Sequence, residues 1–241
     1  MLSVATGEPH PYGGFVTTTT PENLGAPKPS AAQLDVGFYV PPLPGDFVSV
    51  GDAELYVRTA GTAVPRDDPQ APVAVFIHGL GGSSTNWTEL MTLLEGSVYG
   101  IAPDLPGFGQ SPPPHHGDYK LTAHADIVAK LIREMVGERP VHVFGNSMGG
   151  ATAVQLAARH PDLVKSMTLI SPALPELRPR ASNIHMPITA IPGVGERLMR
   201  RMMKRDVEWR VGMSMSICYA DPDRIDPRRM ADQVAGARAR D

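Results

Sequence analysis

One ten-residue stretch, VHVFGNSMGG at positions 141–150, constrains this chain more than any other. It begins with the β-branched and aromatic residues of a buried strand and ends with small residues that open a helix. Within it Gly145, Ser147 and Gly149 follow the pattern G-x-S-x-G, which puts a serine on a sharp turn above a sheet. The pattern predicts a nucleophilic serine; the alternative is a serine that only caps the helix.

Composition narrows the classes of protein and of partner. The 241 residues are 42% hydrophobic and 20% charged, which is ordinary for a globular chain with a substantial core. The net charge of −3 gives no reason to expect nucleic acid as a partner. One cysteine, Cys218, excludes an internal disulfide and leads us to expect a cytoplasmic protein. We expect neither a signal peptide nor a membrane span, because no apolar run approaches about 18 residues.

The chain divides into three zones. Residues 1–45 are rich in proline and hold a TTTT run, so we expect an extended or disordered arm. Residues 46–173 alternate strand and helix patterns and form the predicted core. Residues 174–241 are predicted to be all-helical, with helices near 192–205, 207–218 and 227–240.

The middle zone predicts an α/β fold. A β-hairpin is expected over 47–59, because Gly51 and Asp52 suit a tight turn. Apolar, β-rich runs follow at 73–77, 98–102, 141–144 and 166–170, with helix patterns at about 84–95, 121–137 and 148–160. This alternation favours a mostly parallel sheet with helices on both faces.

Two further glycine-rich stretches accompany the serine turn. VAVFIHGLGG, residues 73–82, and DLPGFGQS, residues 104–111, each follow or end a predicted strand. Together with G-x-S-x-G, and in this order, they resemble the α/β-hydrolase family. The resemblance is close over 46–173 and looser over 174–241, which is similar to the helical cap of that family.

The resemblance implies a catalytic role for Ser147 and its surroundings. Ser147 would be the nucleophile, and the backbone N–H groups of Leu80 and Met148 would form the oxyanion hole that stabilises a tetrahedral intermediate. The two turns would be supported by His78, Gly79, Gly145 and Gly149. No metal and no organic cofactor is implied, and the partner would be a small-molecule acyl substrate.

The base and the acid of a triad are not found in this chain. In the family they follow the serine in the order acid, then histidine. His160 lies about 20 Å along the predicted helix from Ser147, and His185 lies early in the cap. His115, His116 and His124 precede Ser147, so a base among them would reverse the chain order of the family's triad. Glu176 is a possible acid for a variant triad, but it is not nominated.

The family also expects two more strands after the cap, whereas this sequence stops at QVAGARARD. We therefore expect a C-terminally truncated hydrolase, inactive as an isolated fragment and completed by a missing C-terminal portion or a complementary chain. Residues 166–170 would then form an exposed sheet edge. A non-catalytic hydrolase-fold scaffold or binding protein is the alternative from a different class.

The residue at position 147 also bears on the substrate. The family members that act on haloalkanes and epoxides use aspartate there, so serine favours a carboxylic ester or related acyl compound. The stretch GNSMGGATA is also similar to the serine turn of hydrolases that cleave carbon–carbon bonds in ring-fission products, although HGLGGSSTNW departs from that subfamily. The cap methionines would form an adaptable apolar roof or simply helix core, and they are Met199, Met202, Met203, Met213 and Met215.

A dinucleotide-binding site is a rival interpretation of the first glycine turn. Gly79-Leu80-Gly81 follows a strand, and Asp104 lies 23 residues beyond Gly81. Ser84, however, stands where the third glycine should be, and this interpretation leaves the serine turn unexplained. His78 has no partner at metal-ligand spacing, so no metal site is predicted.

Overall fold

A computed structural model describes residues 39–61, 68, 70–114, 117–174, 193–218 and 225–238, which all belong to one unit that begins at Gly37. The predicted arm lies outside the described residues up to position 38. The same holds for His115, His116, Glu176 and His185.

The described residues form one six-stranded sheet in the order β1-β2-β4-β3-β5-β6. Its strands are β1 (Gly45–Val50), β2 (Ala53–Ala60), β3 (Val73–Ile77), β4 (Tyr99–Pro103), β5 (Val141–Asn146) and β6 (Val164–Ile170). The β1–β2 and β2–β4 pairs are antiparallel, and the other three pairs are parallel. The predicted hairpin and the mostly parallel sheet are both confirmed.

Six helices accompany the sheet in the described ranges. They are α1 (Thr88–Leu93), α2 (Leu121–Val136), α3 (Met148–Arg159), α4 (Val194–Met202), α5 (Val207–Cys218) and α6 (Pro227–Arg238). The single helix predicted at 84–95 was wrong in detail, because residues 84–87 form a 3₁₀ turn and α1 begins only at Thr88. The Asn86 side chain, which accepts a hydrogen bond from the Ser83 N–H at 2.8 Å, closes that turn.

The core lies on both faces of the sheet. Strand β3 is buried along its whole length: Val75 and Ile77 pack in the cluster beneath α2 and α3, while Phe76 packs in a second cluster with Trp87 and Met91. Burying each such side chain contributes about 1.5–3 kcal/mol. Because β3 lies inside the sheet, this burial fixes the end of β3, from which the first glycine turn (residues 78–82) leaves.

Strand β6 is an edge of the sheet as described. It pairs with β5 along one side, and Met167 and Ile170 are each 41% exposed. The exposed edge predicted at 166–170 is therefore confirmed for the described residues. A strand in this position presents unpaired backbone N–H and C=O groups along its outer side. In the same described ranges, no helix has the length and apolar character needed to cross a membrane.

Candidate active site

The structure places Ser147 on the turn between β5 and α3, in a backbone conformation that non-glycine residues rarely adopt. Its φ is 51° and its ψ is −116°, and α3 begins at the next residue. Such a conformation costs about 1–3 kcal/mol, so neighbouring contacts must hold it. The Ser147 N–H donates to the Ile170 carbonyl at 3.0 Å, and the Ser147 carbonyl accepts from the Ala173 N–H at 2.9 Å.

Close packing explains the glycines on either side of Ser147. A Cβ atom on Gly149 would overlap the backbone carbonyl of Ile77, at the end of β3. A Cβ atom on Gly145 would lie 2.5 Å from the carbonyl oxygen of Gly149 itself. The G-x-S-x-G spacing therefore lets the start of α3 rest directly on the end of β3.

The first glycine turn lies directly against the serine turn. Ile77 pairs with Gly145 in the parallel register of β3 and β5, so the segments that follow them run side by side. A Cβ atom on Gly79 would lie 3.2 Å from the Cβ of Ser147. The N–H of Met148, in the first turn of α3, has no partner within its own helix, because the first four N–H groups of a helix have none. It carries part of the positive end of the helix dipole.

His78 is a fully buried link between two loops. Its Nε2 accepts a hydrogen bond from the Leu105 N–H at 3.0 Å, and its Nδ1 lies 2.8 Å from the Gly79 carbonyl. Because Nε2 accepts, the proton is assigned to Nδ1, which donates to Gly79. Both ring nitrogens are engaged in supporting the glycine turn, in keeping with the structural role expected for His78.

Asp104 performs a similar task one loop further along. It is 1% exposed, and its carboxylate accepts from the Ser84 N–H at 2.6 Å and from the Gln110 N–H at 2.8 Å. A Cβ atom on Gly109 would overlap this carboxylate. Asp104 is therefore consumed in holding the stretch DLPGFGQS against the first glycine turn, which removes it as the ribose ligand of a dinucleotide site.

A cleft of about 150 Å³ opens beside the two turns. Leu80, which is 67% exposed, lines it together with Asn146, the residue that precedes Ser147. The opposite wall comes from helices α5 and α6, through Ser214, Met215, Arg229 and Gln233.

Helix α6 is held over this cleft by polar contacts. Arg229 forms an ion pair with Glu89, and Gln233 donates to the Thr85 hydroxyl at 3.1 Å. Burial lowers the pKa of the Arg229 guanidinium. Among the predicted roof residues, Met215 lines the cleft, whereas Met203 and Met213 are 52% and 45% exposed.

The model of the alpha/beta hydrolase fold family matches residues 72–215, more than half of the chain. The chain belongs to the α/β-hydrolase family. The matched range begins just before β3 and contains both glycine turns, the serine turn and helices α4 and most of α5.

Curated relatives of this α/β hydrolase include lipases. Over 123 residues the chain is 41% identical to Lipase 1 of Psychrobacter immobilis, covering 51% of this chain and 36% of that protein. Over 125 residues it is 39% identical to an Arabidopsis thaliana protein described as probable lysophospholipase BODYGUARD 4, covering 50% of this chain and 30% of that protein. The chain therefore spans about a third of the length of these relatives.

A solved structure supports the fold alone. Cfl2 from Burkholderia cenocepacia superposes with a TM-score of 0.64 at 21% identity, over 79% of this chain and 64% of that one. At this identity the likeness carries no information about substrate.

An α/β hydrolase with a serine nucleophile needs a histidine near it. Among the described histidines, His78 lies on the adjoining turn with both ring nitrogens engaged, and the other three lie on other elements. His160 caps the C-terminal end of α3, about 20 Å along the helix from Ser147, with its Nε2 2.9 Å from Asp126. His142 contacts the Ser166 hydroxyl at 2.7 Å. His124 is buried against Phe108 and Tyr119.

The cluster of Asp126, Arg159 and His160 was not predicted from the sequence. Arg159 binds the Asp126 carboxylate with two hydrogen bonds of 2.8 and 2.7 Å, and together with His160 it lowers the pKa of that carboxyl group. The three side chains join α2 to the end of α3, on the side away from the serine turn. Within the described ranges, no group of three or more His, Cys, Asp or Glu side chains is arranged so that it could hold a metal ion.

Proposed function

We propose that this α/β hydrolase cleaves a carboxylic ester or a related acyl compound through an acyl-enzyme on Ser147. The observation that carries the proposal is the left-handed backbone of Ser147, held against the first glycine turn. Strain of this kind is retained where a side chain must be presented in one direction. A serine that merely capped α3 would need no positive φ, and the Ser147 side chain makes no capping hydrogen bond.

The proposed chemistry assigns the negative charge of the reaction to two backbone N–H groups. The Ser147 hydroxyl attacks the acyl carbon and passes its proton to the base, while the carbonyl double bond opens to give an oxyanion in the tetrahedral intermediate. Collapse of this intermediate expels the alcohol, which takes the proton from the base, and leaves the acyl group on Ser147. The N–H groups of Leu80 and Met148 donate to that oxygen. Removing one such donor typically costs about 3 kcal/mol of transition-state stabilisation.

The names of the curated relatives favour an ester substrate. Lipase 1 and the BODYGUARD 4 protein are 41% and 39% identical to this chain over about half of its length. The cap wall with Met215 would provide an apolar surface for an acyl group. The domain organisation proposed here is a core over 46–173, a helical cap over 174–241 and an N-terminal arm over 1–45.

We propose that the base and the acid, which the described residues do not bring to Ser147, lie on a segment that pairs with the edge of β6. The Ser147 N–H is hydrogen-bonded to Ile170, the last residue of β6, so a strand added beside β6 would end close to the serine. A C-terminal portion or a complementary chain could supply that strand. Without the base, turnover should fall by about 10⁶-fold, as in other triad enzymes.

Fluorophosphonate labelling of the 241-residue chain, with a fragment that pairs with β6 added to supply the base, tests the nucleophile. Mass spectrometry should locate the adduct on Ser147, and Ser147→Ala should abolish it. Ser171→Ala is the matched control, because Ser171 is the other described non-glycine residue with a positive φ. An adduct that survives Ser147→Ala, or a Ser147 that never reacts even with a β6-pairing fragment present, would favour a non-catalytic scaffold.

A further inference from the structure

A second, larger cavity lies apart from the candidate active site. It encloses about 620 Å³ between the β1–β2 turn, the proline-rich loop after β4 and the first half of α2. Neither Ser147 nor any residue of the first glycine turn lines it, and the second glycine-rich stretch contributes only Pro106 among the described residues. Its size suits a small organic molecule, since ligand pockets typically span about 300–1,000 Å³.

The walls of this cavity are apolar and stiff. Pro112, Pro113 and Pro114 stand in a row on one side, with Ala123 and Ile127 of α2 on another. Proline has a fixed φ, so such a wall loses little entropy when a ligand binds. The apolar lining favours an alkyl or ring portion in the ligand.

Carboxylates outnumber cations at the mouth of the cavity. Among the described residues that line it, four are acidic, Asp52, Glu54, Asp118 and Asp126, and one is a lysine, Lys130. Only Asp126 is strongly neutralised, through its bidentate pair with Arg159. Asp118 is 3.6 Å from the exposed Lys120 ammonium, and a surface pair of this kind is worth little. The field inside the cavity therefore favours a positive charge.

A buried histidine faces the same space. His124 is 1% exposed and lines the cavity, with its ring against those of Phe108 and Tyr119. Burial lowers the pKa of the imidazole, against an opposing effect of Asp118. A neutral imidazole presents one acceptor nitrogen. That nitrogen can accept a hydrogen bond from a ligand that donates one.

We infer that the cavity is a binding site for an organic ammonium ion. Its N–H groups would donate to His124 and face the carboxylates of Glu54 and Asp118, and its alkyl part would lie against the proline wall. An anionic ligand would meet those carboxylates, and a neutral one would leave their charge uncompensated. A bare metal ion fits poorly, because no metal-binding cluster occurs among the described residues.

Calorimetric titration of the 241-residue chain with three six-carbon ligands tests the inference. We expect n-hexylammonium to bind at least about tenfold more tightly than 1-hexanol, and hexanoate to bind most weakly. Raising the salt concentration should weaken only the binding of hexylammonium. Because the measurement needs no turnover, it is independent of whether Ser147 is a nucleophile.

Substitutions of opposite charge sharpen the test. Glu54→Gln should weaken hexylammonium binding by about 2–5-fold, and Lys130→Gln should tighten it by a similar factor. His124→Phe should abolish the preference for hexylammonium over hexanol. If that variant does not fold, the ring resonances of His124 in the unaltered chain should shift on titration and saturate at the calorimetric Kd.

Several results would overturn the site. One is binding of hexanoate as tightly as, or more tightly than, hexylammonium. Another is a change of the same sign in hexylammonium affinity for Glu54→Gln and Lys130→Gln. A third is a set of His124 ring resonances that do not move on titration. The site would also be overturned if hexylammonium did not bind at concentrations up to about 20 mM, since even a poor ligand has a Kd of roughly 1 mM.

Discussion

The backbone N–H of Ser147 donates a hydrogen bond of 3.0 Å to the carbonyl oxygen of Ile170. The strained serine therefore rests on the last residue of the exposed edge strand. Movement at the end of β6 is transmitted to Ser147 through this bond and through the one that the Ser147 carbonyl accepts from the Ala173 N–H. The reactivity of the serine and the state of the sheet edge should change together.

Leu169→Ala tests this dependence. Leu169 packs against the main core, so its truncation should destabilise the fold by about 2–3 kcal/mol and slow the fluorophosphonate labelling of Ser147. Met167→Ala is the control on the same strand, because Met167 is 41% exposed and should change both quantities little. Urea unfolding measures the stability of each variant, and the rate of fluorophosphonate labelling measures the reactivity of its Ser147. Labelling that is equally fast in both folded variants would show that the edge does not govern the serine.

Gly149→Ala should be among the most damaging single substitutions in the chain. The added Cβ would overlap the backbone carbonyl of Ile77, which cannot move without disturbing β3. We expect a loss of more than about 4 kcal/mol, or no folded protein.

Gly212→Ala is the matched control for that substitution. Gly212 lies within α5 with nothing within 4 Å of its Cβ position, so alanine there should stabilise the helix by up to about 1 kcal/mol. Thermal unfolding of the two variants checks the contrast. A stable, well-folded Gly149→Ala protein would contradict the packing described for the serine turn.

Asp104→Asn should destabilise the first glycine turn without touching Ser147. The carboxylate accepts two backbone N–H groups while 1% exposed, and an amide NH₂ would face one of those donors. The expected cost is about 2–4 kcal/mol. Asp162→Asn, at a side chain that is 60% exposed, should change unfolding little. Equal unfolding midpoints for the two variants would show that Asp104 does not hold the loops together.

Local sequence patterns predicted most elements of the fold. Strand β3 matches its predicted bounds, because five consecutive apolar residues can only be a buried strand in this context. Helix α5 also matches at 207–218. The helix predicted at 84–95 was wrong at its start, since Ser83 and Asn86 form a polar cap that periodicity does not reveal.

Contacts between distant residues explain what the sequence did not predict about the site. Gln233 reaches Thr85 across 148 positions, and Arg159 reaches Asp126 across 33. Nothing local to either partner identifies the other. The turn at Ser147 could be predicted because the glycines that it requires lie beside it in the chain. The wall of the cleft that α5 and α6 form could not, because its residues lie far from the turns in the sequence.

Buried histidine makes the stability of this fold depend on pH. Burial lowers the pKa of His124 below its ordinary value near 6.5, so the unfolded chain binds the proton more readily than the folded one. Between the folded pKa and about 6.5, the unfolded state therefore holds more protons, and the free energy of unfolding rises with pH. Stability should be complete above about pH 7 and should fall as the pH drops from there towards 5, by at most about 1.4 kcal/mol per pH unit for this group.

Urea midpoints between pH 5 and 8 measure this effect, with His124→Gln as the diagnostic variant. Burial, and then Lys165, also lower the pKa of His142, so some slope should persist in that variant and disappear only when His142 is replaced as well. Asp126 does not contribute in this window. Its carboxyl pKa is lowered, first by Arg159, so its stabilisation is lost only as the pH falls below about 4. A wild-type midpoint that stays flat from pH 8 to 5, or a slope that His124→Gln leaves unchanged, would mean that the imidazole is not desolvated in the folded state. The cavity beside it would then be wetter than a site for an organic ammonium ion requires.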